Sequence, residues 1–104
     1  MSAALEQALA TVRTKALPRF AMIDASRPKG FLGPKYGAWN TRRLQIEQGV
    51  IDTLEAEGAQ IRKAGDEVTR ITLAGLEAQS TAGLAQAVKN WINRAEARLR
   101  MGGA

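Results

Sequence analysis

Residues 41–79 read TRRLQIEQGVIDTLEAEGAQIRKAGDEVTRITLAGLEAQ, and the fold class turns on whether this stretch is one helix. Leu54, Ile61 and Val68 recur every seven residues, while Leu44, Ile51, Gly58, Gly65 and Thr72 form the adjoining row of the same heptad. That repeat predicts a coiled-coil-like seam with one large row and one small row. Asn40 or Thr41 can cap its start, and no proline interrupts it. The expectation is a helix over 41–78. A glycine inside a helix costs about 1 kcal/mol relative to alanine. Gly58 and Gly65, stacked on the apolar side, therefore imply a partner helix in close approach; the plainer alternative is that they kink or weaken the helix. No strand-like alternation of useful length stands out.

Working outward, the apolar phase changes near Gln79. Leu84, Val88, Trp91, Ala95 and Leu99 then set a new helical stripe, and Gly102 and Gly103 end it. This predicts a helix over 82–100, with a single continuous helix from 41 to 100 as the alternative. Toward the start, Leu5, Ala8, Leu9 and Val12 predict a helix over 3–16, which Pro18 ends by biasing Leu17 out of the α region. Residues 18–39 carry all three prolines, Gly30, Gly33 and Gly37, and four of the five aromatic residues, with neither helical nor strand periodicity. The fold class expected is all-α: a helical hairpin or small bundle in one domain over 1–104, with an irregular Pro/Gly/aromatic arm at 18–39.

Composition narrows function mainly by exclusion. The chain has no Cys and no His, which removes thiolate chemistry, sulfur-ligated zinc and the commonest general base near neutral pH. Ser2, Ser26 and Ser80 have no histidine to activate them and no Gly-x-Ser-x-Gly elbow, and no phosphate loop of Walker or dinucleotide type is present. Asp52 and Glu55 read as a solvated acidic surface. Enzyme activity, a catalytic residue, a metal, a cofactor and a small-molecule substrate are therefore not expected. No segment reaches the roughly 18 to 20 apolar residues of a membrane span, and the first twenty lack a continuous apolar run. The expected location is the cytoplasm, or a particle assembled there.

At 104 residues with only five aromatic side chains, folding buries about 60 to 65% of the unfolded surface, so association with a protein partner or with itself is expected. The net charge of +5 is unevenly spread. Residues 1–43 hold eight basic residues against Glu6 and Asp24, for +6; residues 44–79 carry −4 and residues 80–104 carry +3. Such asymmetry suits a phosphate-bearing or acidic partner, and self-association equally.

The stretch from Arg27 to Trp39, followed by Arg42 and Arg43, interleaves cations with Phe31, Tyr36 and Trp39. Single-stranded nucleic acid is held by that combination, because cations track phosphates while rings stack on bases. Alternatively, the rings fill pockets on the protein's own helices or on a neighbour. The last helix, with Trp91 on its stripe and Lys89, Arg94, Arg98 and Arg100 around it, reads as a bundle helix with a solvated basic face; a membrane surface is not expected as its partner.

Three functional expectations follow. The first is a non-enzymatic assembly or adaptor protein, as a component of a larger nucleic-acid-containing particle. Its partner-binding residues would be Phe20, Phe31, Tyr36, Trp39, Leu54, Gly58, Ile61, Gly65, Val68 and Trp91. The alternative is a nucleic-acid-binding protein of low specificity using Arg27, Lys29, Lys35, Arg42 and Arg43. A further alternative is a small inhibitor that docks on a host protein.

Overall fold

The computed structural model describes residues 3–29, 33–64 and 68–102. Four helices and three strands follow in the order α1 (Ala3–Lys15), α2 (Leu17–Ala25), α3 (Pro34–Ala56), β1 (Gln60–Ala64), β2 (Val68–Leu73), β3 (Leu76–Ser80) and α4 (Leu84–Gly102). The protein is mixed α/β, not all-α, and the expected helix over 41–78 is the source of the error. Its first half is the end of α3; its second half is an antiparallel sheet of order β1-β2-β3.

Gly58 decides the change. It adopts φ +99°, a left-handed conformation open to glycine at little cost. The Ala59 N–H bonds the Leu54 carbonyl at 3.0 Å and the Gly58 N–H bonds that of Glu55 at 3.0 Å. Those two bonds form a Schellman stop, completed by apolar contact between the flanking residues; Leu54 and Ala59 are both buried. Gly58 therefore ends a helix instead of lying inside one. A Cβ built on it would meet nothing within 4 Å, so no helix approaches it closely. Leu54, Ile61 and Val68 fall on α3, β1 and β2 respectively and share no helical face. Gly65 lies outside the described residues.

Beyond Ala59 the pattern has period two. Thr69, Ile71 and Leu73 of β2 are buried, as are Leu76 and Ala78 of β3, while Arg70, Glu77 and Gln79 between them are exposed. One face of the sheet is thus covered and the other is solvated, as in an antiparallel meander. The register places Ile61 opposite Ile71 and Ile71 opposite Ala78 on the covered face. β2 and β3 are joined by Ala74 and Gly75, with φ of 53° and 76°, the positive pair that a two-residue type I′ hairpin requires. Alanine is a poor choice there. Ala74→Asn is expected to raise stability by about 0.5 to 1 kcal/mol, read as a higher urea midpoint; an unchanged or lower midpoint would contradict this turn.

The expected irregular arm at 18–39 is also corrected. Pro18 lies in the first turn of α2 and Pro34 opens α3. Proline is favoured there because its missing N–H would have no helical acceptor in any case. Between α1 and α2 only Ala16 departs from helix, at φ −103°.

The core is one cluster. Leu9, Val12, Phe20, Val50 and Leu54 from the first three helices meet Ile71, Leu73 and Leu76 of the sheet and Leu84, Val88, Trp91 and Ala95 of α4. α4 lies across β2 and β3, and α1 packs on α4. Arg13 of α1 pairs with Glu96 of α4, both half exposed, a contact worth well under about 1 kcal/mol. Trp91 is fully buried, and its indole N–H points at the Leu73 and Leu76 carbonyls at 3.3 and 3.1 Å. No described helix is long and apolar enough to cross a membrane.

Candidate functional site

A cleft of about 470 Å³ opens where the α2–α3 junction, the ends of β1 and β2, and the start of α4 meet. Its first wall is built on Trp39, which is 8% exposed and whose indole N–H donates to the Ile23 carbonyl at 3.1 Å. The Arg27 and Arg43 guanidiniums lie over that ring, 5.1 and 5.8 Å from its centroid, within the range of cation–π attraction. Tyr36 is half-buried, with its ring 5.5 Å from that of Trp39.

The two arginines are held in place. Arg43 donates to Asn40 Oδ1 at 2.7 and 3.1 Å and pairs with Glu47 at 3.0 Å, and Arg27 pairs with Asp24 at 3.4 Å. Each guanidinium is therefore partly neutralised. The excess positive charge comes from Lys63, which lines the cleft from β1, and from Lys29, Lys35 and Arg42, which are exposed on the approach to α3 and on its first turns. Among the described residues none of these four has an ion-pair partner.

The second wall comes from the sheet and α4. Lys63 and Thr69 are opposite each other across β1 and β2, and Thr69 is opposite Ser80 of β3, so all three side chains share one face. Thr81, Ala82, Gly83, Leu84 and Ala85, which follow Ser80 in the chain, line the same cleft as Lys63 and Thr69. Gly83, at φ +103°, turns the chain into α4, and the first helical bond runs from the Ala87 N–H to the Gly83 carbonyl at 3.1 Å. The N–H groups of Leu84, Ala85 and Gln86 therefore have no acceptor within the helix.

The residues expected from sequence fare differently. Arg27 and Arg43 meet over Trp39 and line the cleft, while Lys29, Lys35 and Arg42 are exposed near them in the chain and do not line it. Phe20, Trp39 and Trp91 are in the chain's own core; Phe20 and Trp39 also border the cleft, but Trp39 has the Arg27 and Arg43 guanidiniums where a base would stack. Gly58 lies in an exposed turn, and Leu54, Ile61 and Val68 form no common surface. Phe31 and Gly65 lie outside the described residues. Lys63, Thr69 and the start of α4 were not expected, because only strand pairing brings them beside the arginines.

No protein-family model matches the chain, and no curated protein and no solved structure matches it either.

Proposed function

We propose that this chain is a non-enzymatic nucleic-acid-binding protein of low sequence specificity that holds the phosphate backbone at the cleft end. Its main support is the convergence of Arg27, Arg43 and Lys63 on one opening, with Lys29, Lys35 and Arg42 close by in the chain. Contacts made to phosphate position a strand without reading its sequence, which fits a site rich in cations and poor in accessible ring faces. Ring stacking at Trp39 has no part in this proposal, since the two guanidiniums occupy its neighbourhood.

Resonance mapping tests the location. Titrating a short single-stranded DNA into isotope-labelled protein is expected to move the Trp39 indole N–H and the amides of Arg27, Arg43 and Lys63. The Trp91 indole, sealed at the β2–β3 hairpin, is expected to stay still. Changes centred on Arg94, Arg98 and Arg100 of α4, or none at all, would overturn the proposal.

An assembly role has one observation of its own. Met22 is 54% exposed and Leu44, which lines the same cleft, is 48% exposed. Those two side chains supply apolar area for a protein partner, and with them a protein could seat beside the bound strand in a nucleoprotein particle.

A further inference from the structure

We propose that the end of the cleft lined by the start of α4, Lys63 and Thr69 is a seat for a single phosphate group. This deepens the proposed function and rests on it for the origin of the phosphate, which a nucleic-acid terminus would carry; orthophosphate offers the same chemistry.

Two independent observations meet there. The first is the start of a 19-residue helix whose Leu84 and Ala85 line the cleft with N–H groups that have no helical acceptor. Backbone N–H groups and the positive end of the helix dipole together favour an anion. The second is Thr69. It is 5% exposed and is the single polar residue in the buried core among the described residues, and its hydroxyl has no hydrogen-bond partner among them. No sealed side-chain polar atom of the described residues lacks a partner, so this hydroxyl must open into the cleft that Thr69 lines. The rest of Thr69 is enclosed, so its hydroxyl is a donor presented to the cleft, free to bond an anion seated there.

Lys63, the cross-strand neighbour of Thr69 on the same face, supplies the counter-charge. Arg27 and Arg43 stand on the opposite wall, where the rest of a strand would continue. The ligand class is thus an anion with several oxygen acceptors, matched to an ammonium, a hydroxyl and two amides. No covalent step is involved.

Titration of the full chain with inorganic phosphate at constant ionic strength, followed by amide resonances, tests the seat. The Thr69, Leu84 and Ala85 signals are expected to move together and saturate. Thr69→Val is expected to bind phosphate roughly tenfold more weakly, the loss of one charge-assisted hydrogen bond, while its thermal midpoint stays at or above that of the parent. A merely structural threonine would lose stability and leave phosphate binding alone, and that result would overturn the seat, as would the absence of saturable shifts. Lys63→Gln, on an exposed side chain, gives the same reading without touching the core. A strand with a 5′-phosphate is expected to bind more tightly than its 5′-hydroxyl counterpart, and equal affinities would remove the strand terminus as the source. If phosphate saturates the seat and no strand binds, the nucleic-acid proposal fails and the seat stands. If strands bind and phosphate does not, only the seat fails.

Discussion

Replacing Trp91 by alanine is expected to cost about 3 to 5 kcal/mol, the range for removing a large aromatic side chain from a packed core. Small domains have only about 5 to 15 kcal/mol of total stability, so this change brings the chain close to unfolding. The size of the effect comes from position. Trp91 is fully buried on the α4 stripe, with Leu84, Val88 and Ala95 beside it and the β2–β3 hairpin above. Its indole N–H also serves the Leu73 and Leu76 carbonyls, the residues that bracket the Ala74–Gly75 turn. Alanine leaves a cavity and takes away that donor at once.

Trp91→Phe separates the two contributions. The ring of phenylalanine keeps much of the packing, so the remaining loss of about 1 to 2 kcal/mol reflects the missing donor. Both values are read from denaturant midpoints followed by circular dichroism. A Trp91→Ala protein that loses less than about 1 kcal/mol would mean that α4 does not seat this ring on the sheet.

Sequence and structure part company at one residue pair, Glu57 and Gly58. The seven-residue spacing of Leu54, Ile61 and Val68 looked like a helical seam, yet it arises from a helix end followed by two strands. A glycine four residues after a leucine can lie inside a helix or end it. Only the bonds from Gly58 and Ala59 back to Glu55 and Leu54 distinguish the two. The strand signal was nevertheless present: Val68, Thr69, Ile71 and Thr72 are four β-branched residues in a run of five, and they lead into a two-residue turn. Period two within so short a run was masked by the heptad coincidence on either side.

The prolines mislead in the opposite direction. Pro18 and Pro34 read as breaks in the chain, but each is at a helix start, where its fixed φ is an advantage. For the candidate site, the basic cluster was legible because Arg27, Lys29, Lys35, Arg42 and Arg43 are near one another in the chain. Lys63 and Thr69 were not. Their place beside Trp39 depends on strand register and on how the sheet meets α3, and neither leaves a mark in local sequence. The aromatic residues were legible as unusual but not as buried, since a ring that fills a core and a ring that stacks on a base look alike in one dimension.

The second large effect concerns binding. Lys29, Lys35, Arg42 and Lys63 are exposed and, among the described residues, have no ion-pair partner, so replacing all four with glutamine leaves the described ion pairs intact. Each cation that meets a phosphate releases counterions from the strand. For four such contacts on a single strand the affinity should fall with a log–log slope of about −3, or about 50-fold between 50 and 200 mM salt. The quadruple variant has lost those contacts while keeping Arg27 and Arg43, each already tied to a carboxylate. Its affinity at low salt should drop by a comparable factor, and its slope should become shallower by about 3, leaving only what Arg27 and Arg43 contribute.

Fluorescence anisotropy of a labelled single strand, titrated with parent and quadruple variant across that salt range, is therefore the most direct test. The account predicts tight, steeply salt-dependent binding by the parent and weaker binding with a clearly shallower salt dependence by the variant. A flat parent titration at low salt, or a variant that binds as the parent does, would contradict it.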